Sequence, residues 1–338
     1  MPLSLRLELA VTLRSQSSPW GKIILDESTR RLFLARRAAG VSVYNIDSLK
    51  PLAEISDAKG ALAVAIAAGI GGQAGRGFTA NGDAGEKSLT VFDLASLKTV
   101  AKVALDFVPA NLVYDAGSQR LAVMAESSGP ATSIFLVDPL KLDVVKKLEV
   151  ATPAPGGMTV DGRGRLFVTL PDKDSVAIYN LVSGEALGIW PTAPCRQPGL
   201  VAFERLSFRL VMTCDGTPGI ATTIDVMSGK VAASVRTGNQ PGQIAVDSRD
   251  GLLYFASGAE ATLTVVRARG TDRYEVLEQI STRTLAQEIA VDSRTGRVFM
   301  VAADVVRSVP PQSGGPATTR IVANSFAILV YRRMPIEP

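Results

Sequence analysis

The 338-residue chain contains no histidine. That removes the commonest side-chain general base and the commonest metal ligand. Ser-His-Asp and Cys-His catalysis are excluded with it, as is every zinc site that needs an imidazole. Aromatic residues make up only 6% of the chain, and most fall in predicted strands; a surface on which successive nucleic-acid bases stack needs them beside basic residues. No Lys/Arg run is longer than two, and the net charge of +4 is the small difference between 36 basic and 32 acidic residues. Nucleic acid is therefore the last-ranked partner, since its footprint needs clustered charge. No stretch approaches the roughly 18 apolar residues of a membrane-spanning helix, so no membrane span is expected. The opening "MPLSLRLELAVTLRSQ" lacks the apolar centre of a secretory leader. It fits a native cytosolic start or a mature chain given a new Met.

What is present is repetition. "ILDESTRRLFLAR", "AVDSRDGLLYFAS" and "AVDSRTGRVFMVA" begin at residues 24, 245 and 290. Aligned on the residue before the Leu/Val-rich run, Arg31, Arg76, Arg120, Arg165, Arg209, Leu252 and Arg297 recur every 43 to 45 residues. An acid precedes most of them by four or five positions: Asp26, Asp115, Asp161, Glu204, Asp247 and Asp292. Short apolar runs flanking Asp, Ser and Gly read as β-hairpins. The acid ends one strand and the arginine begins the next, which predicts a surface ion pair across the turn.

A second phrase follows each hairpin, as in "LTVFDLASLKTV" and "VAIYNLVSGEAL": strand, polar turn, strand. Seven four-stranded units at this period predict an all-β, seven-bladed propeller of antiparallel blades filling residues 1–338 as one domain. The seventh copy, "FAILVYRR", lacks a fourth strand. "LRLELAVTL", residues 5–13, is expected to supply it and close the ring. Two departures stand out. "GIGGQAGRG" (69–77) replaces a tidy Asp turn and lacks the G-K-[ST] of a phosphate loop, so a loose bend is expected. Residues 304–324 form a Pro-, Gly- and Ser-rich insertion in the seventh unit, read as a lid, a partner arm or a passive excursion.

The phrases "TVFDL…LKTV" and "AVDSRTGRVFMV" resemble those of YVTN-type, YncE-like seven-bladed propellers, and the resemblance spans nearly the whole chain. It implies the fold. It leaves function open among binding, scaffolding and electron-transfer-associated roles, and many such relatives are periplasmic or exported. One YncE-like activity is binding single-stranded DNA, for which this chain carries no motif.

Cys195 and Cys214 flank the fifth hairpin turn symmetrically and should lie opposite each other at its open end. Cross-strand neighbours are close enough for a disulfide after modest adjustment, which would imply an oxidising compartment. Two reduced thiols, or a thiolate activated by Arg196, are the alternatives. The location expected is periplasmic or secreted, with cytoplasmic the other option.

In a propeller the loops leading into each first strand share one face with those joining second to third strands, and function concentrates on such loops. The leading loops are "SSPWGK", "SDAKGA", "DFVPAN", "TPAPGG", "APCRQP", "GNQPGQ" and "RTLAQE". They nominate Trp20, Lys59, Asn111, Arg196, Gln197, Asn239, Gln240, Arg283 and Gln287 as channel-mouth residues, a cationic, amide-rich set suited to a small polar or anionic ligand or a partner protein. The neighbouring loops carry Asp83, Glu86, Glu126, Asp172, Asp174, Asp215, Glu260 and Asp304. Converging carboxylates can hold Ca²⁺, but no spacing marks a ligand set, so neither metal nor cofactor is expected. A non-catalytic binding or scaffold propeller is the leading reading. A histidine-independent hydrolase, lyase or isomerase using carboxylate and lysine groups at the mouth is the second, and a single-stranded nucleic-acid binder the third.

Overall fold

The computed structural model describes residues 3–13, 20–270, 272–307 and 319–335. Seven four-stranded antiparallel sheets are arranged as a propeller, and among the described residues the only helical segments are two single turns, Asp83–Gly85 and Pro171–Lys173. Blade 1 comprises Ile23–Asp26, Arg31–Ala35, Val41–Asn45 and Pro51–Ile55. Blades 2 to 6 repeat this order, their first strands being Ala61–Ile70, Pro109–Asp115, Met158–Val160, Pro198–Glu204 and Ile244–Asp247. Blade 7 takes Glu288–Asp292, Arg297–Ala302 and Ala327–Pro335 from the end of the chain and Leu3–Thr12 from its start. The two ends pair antiparallel from Leu3 opposite Pro335 to Thr12 opposite Ala327. The expected closure is present.

The core explains the sequence pattern. Seven apolar clusters lie one to each gap between neighbouring blades. In Arg31–Ala35, Leu32 and Leu34 pack toward blade 7 while Phe33 and Ala35 pack toward blade 2. Side chains alternate between the faces of a strand, and both faces of a second strand are covered. Runs such as "RLFLA" and "RVFMVA" are consequently apolar throughout. Fourth strands lie at the rim and alternate instead: Thr99–Ala104 is exposed at every second residue.

The repeated acid does not pair across its turn as the spacing predicts. Asp26 accepts hydrogen bonds from the backbone N–H and hydroxyl of Ser28 and from the hydroxyl of Thr29. Asp115 holds Ser118 in the same way, and Glu204 holds Leu206 and Ser207. Asp161 also binds its own arginine, Arg165, at 2.6 Å. The acid is a turn former. Four of the six arginines reach onward to the third-to-fourth-strand turn of the next blade, while Arg120 and Arg209 bind Asp138 and Asp225 of their own blades. Arg31 donates to Leu94 and Ala95 carbonyls, Arg76 to Pro139 and Leu140, Arg165 to Val226, and Arg297 to Ile46 and Asp47. They staple blade to blade.

The glycine-rich segment is a tight hairpin, not a loose bend. Ile70 pairs with Gln73 across Gly71-Gly72, both at positive φ (54° and 78°). That is the geometry two-residue hairpin turns require and glycine supplies without strain. The insertion begins as a second small hairpin, Val305–Arg307 with Thr319–Ile321. The rest of the expected lid or arm, 308–318, lies outside the described residues.

Candidate functional site

Residues at the first strands of blades 1 to 6 line an axial cavity of about 350 Å³. One residue per blade, four positions before the turn acid or its counterpart Ala67, sits at the same level of this channel. Going round from blade 1 these are Lys22, Ala63, Asn111, Gly157, Leu200, Gln243 and Glu288, of which all but Glu288 border the cavity directly. The level is lopsided. Blades 6, 7, 1 and 3 present polar groups; blades 2, 4 and 5 present Ala63, Gly157 and Leu200. Arg205 lines the cavity nearer the opposite end, beyond its strand Pro198–Glu204.

Local structure fixes each polar group. Gly21 runs so close to blade 2 that a Cβ there would sit 2.2 Å from the Leu62 carbonyl oxygen. That approach lets Lys22 N–H donate to Leu62 O at 2.8 Å, which anchors Lys22 at the inner edge. The Gln243 N–H donates to Gln287 O at 2.9 Å, while its Oε1 accepts Ile289 N–H at 3.2 Å and its Nε2 meets Ile23 O at 3.5 Å. The Gln243 side chain therefore crosses the inner edge of blade 7, where Glu288 begins its strand. Asn111 is buried; its Oδ1 accepts the Leu112 N–H at 3.0 Å, and its NH₂ group has no protein partner.

Lys22 and Glu288 form the electrostatic centre. Both are half-buried by exposure yet walled by protein, and they attract one another without reaching ion-pair distance. Burial pushes the Glu288 carboxyl up to about 7, against a smaller opposing pull from Lys22. Burial lowers the Lys22 ammonium, with Glu288 pulling it back up. Glu288 Oε2 is shielded from solvent and accepts no hydrogen bond. Such a group is costly to leave unmade.

Of the nine residues nominated from the leading loops, Asn111 borders the axial cavity. Trp20 and Gln287 line a smaller hollow of about 150 Å³ above blades 7 and 1, with Arg37, Leu285 and Ile321. Arg283 lines a shallow pocket with Thr282, Thr284 and Asp304. Lys59, Arg196, Gln197, Asn239 and Gln240 border none of these three. Lys59 and Gln240 are exposed. Arg196, 84% exposed, lies 3.6 Å from Asp174, which also accepts the Gln197 N–H at 2.7 Å. Asn239 is held by Glu260, its N–H donating at 2.8 Å. Asp83 ties its loop to the neighbouring blade by binding Arg37 at 3.0 Å, and Glu86 binds Lys102 on the fourth strand of its own blade at 3.2 Å. Among the described residues no three Asp, Glu or Cys side chains converge as a metal site would require. Cys195 and Cys214 are joined in a disulfide that ties the loop leading into blade 5 to the end of its second strand.

Lys22, Gln243 and Glu288 were missed although they are the final letters of "SSPWGK", "GNQPGQ" and "RTLAQE". Counting back from the turn acid picks out all three. The residue that faces the axis stands where the loop gives way to the first strand.

No protein-family model matches the chain, and no curated protein matches it. Solved structures do. The RRP9 WD40 repeats superpose with a TM-score of 0.72 at 12% identity, over 97% of this chain and 100% of that one. A chain of a mitotic checkpoint complex gives 0.71 at 12% identity, covering 96% and 91%. Hydrazine synthase of Kuenenia stuttgartiensis gives 0.68 at 14% identity, covering 93% and 97%. At such identities the likeness is one of fold, a WD40-like seven-bladed propeller.

Proposed function

We propose that the protein is a binding propeller that takes a small polar ligand at the mouth and upper level of its axial channel. The observation that carries this is the lopsided polar level: Lys22 and Asn111 border a cavity of the size small-molecule sites use, and among the described residues neither the Lys22 ammonium nor the Asn111 NH₂ group makes a hydrogen bond. Trp20, Gln287 and Arg283 would guide approach from the loop-bearing face. The disulfide supports an extracytoplasmic location, and the repeated phrases support kinship with YVTN-type, YncE-like propellers. The test is thermal-shift titration with polyols, monocarboxylates, amines and amino acids against wild type, Asn111→Ala and Lys22→Met. At least one class should stabilise wild type and lose its effect in both variants. Equal shifts in all three proteins would remove the channel from consideration.

A second reading rests on one feature. A carboxyl titrating near 7 beside a lysine is suited to general acid–base work without histidine. Turnover of a bound compound, lost in Glu288→Gln with binding retained, would establish it; reversible binding with the compound recovered intact would exclude it for that compound.

A further inference from the structure

Two charged side chains border the axial cavity, Lys22 and Arg205, and among the described residues no Asp or Glu joins them. From this geometry we propose that the channel ligand is an aliphatic monocarboxylate, its head group at Lys22 and Asn111 and its chain directed down the axis. This rests on the channel reading and narrows it.

The upper level supplies the head-group contacts. Asn111 is 8% exposed, borders the cavity and has an NH₂ group without a hydrogen bond among the described residues. A buried donor left unmade is costly, and an ionised acceptor makes the stronger kind of bond with it. Lys22 belongs to blade 1 and Asn111 to blade 3; Ala63, between them on blade 2, brings only a methyl group to this level. Glu288, which attracts Lys22, lies outside the cavity lining. Arg205 is exposed toward the opposite end, where water already serves it. One ammonium and one amide donor match the single charge and two oxygens of a carboxylate. The level beneath supplies the wall for a chain. Residues two apart share a face of a strand. Two positions beyond Lys22, Ala63, Asn111, Gly157 and Leu200 stand Ile24, Ala65, Val113, Thr159 and Ala202. All five border the cavity, and four of them are apolar. A bare inorganic anion or a small polyol would satisfy the upper level and leave these walls against water. A carboxylate with an alkyl chain covers both levels at once, which is the gain that burying apolar surface provides.

Isothermal titration of the full chain with hexanoate, acetate, hexylamine, 1-hexanol and adipate tests this. Hexanoate is expected to bind at least about tenfold more tightly than acetate, which lacks the chain, and than hexylamine and 1-hexanol, which lack the negative charge. Adipate should bind more weakly than hexanoate, because its second carboxylate falls among apolar walls. Lys22→Gln and Asn111→Ala should each weaken hexanoate by about tenfold. Ala202→Leu, which narrows the lower level, should bring hexanoate down to the affinity of acetate. An unchanged β-sheet circular dichroism spectrum verifies the fold of each variant, and the ranking of probes on wild type stands without them. Hexylamine or 1-hexanol binding as tightly as hexanoate, adipate binding more tightly, or no binding of hexanoate at about 10 mM overturns the monocarboxylate. If a compound of another class still binds in a way that depends on Lys22 and Asn111, the channel reading survives that result. If no compound depends on either residue, both fall together.

Discussion

Glu288 shows how one residue can be placed against its own interest. Its folded pKa of about 7 lies above the ordinary 4.5, so the folded state holds the proton more tightly than the unfolded chain. Its contribution to stability is full below about pH 4.5 and is lost as pH rises through 7. Glu288→Gln removes that loss while weakening the field that keeps Lys22 charged. The variant should therefore be more stable than wild type at pH 8, by about 1–2 kcal/mol after allowing for channel water, and nearly equal to it at pH 4. Urea denaturation at the two pH values measures this; an advantage that grows toward low pH would reverse the assignment. Asn111, Lys22 and Glu288 hold the same position, four residues before Asp115, Asp26 and Asp292, so the repeat alone marks all three as first-strand residues. What it does not display is which of them meet across the axis.

At the level of elements, the turn acids and the arginines separate into two jobs. The acids shape hairpins locally, which is why their spacing was readable as turns. Arg31, Arg76, Arg165 and Arg297 act between blades, which no single repeat can display. Arg297 bonds Ile46 O at 3.0 Å and pairs with Glu8 at 2.9 Å, joining blade 7 to blade 1 and to the closing strand. Arg297→Ala should cost about 1–3 kcal/mol of unfolding free energy. Arg120→Ala, whose guanidinium reaches only Asp138 at 3.9 Å and the Gln119 carbonyl, should cost under about 1 kcal/mol. Equal losses in guanidinium melts would show that the reach across blades adds nothing. The disulfide is a second staple. Its partners are 19 residues apart, so opening that loop by a Cys195→Ser, Cys214→Ser double variant should lower stability by about 3 kcal/mol in non-reducing denaturation. Wild type under reductant should match the variant.

The whole molecule depends on closure. Leu5 enters the cluster between blades 6 and 7, and Val11 and Leu13 pack into the one between blades 7 and 1, so the leading strand seals two gaps at once. Deleting residues 3–12 should abolish cooperative unfolding, as followed by calorimetry. A circular permutant that joins Pro335 to Leu3 by a short turn and starts between Leu13 and Trp20 should melt cooperatively, because those two residues are already register partners. A deletion variant with an unchanged transition would mean that six complete blades suffice.

The period of 43 to 45 residues, the apolar second strands and the short turns were enough to determine seven blades, their order and the strand that closes them. Each is a local pattern repeated, and burial on both faces leaves such strands no other arrangement. The cysteine pairing followed from symmetry about one turn. Which arginines bridge blades, and which residues meet at the axis, only the ring could decide. Lys22 and Glu288 are far apart along the chain, and the ring brings each within the other's electrostatic pull. Burial in the folded ring shifts both groups, and that belongs to no segment of sequence.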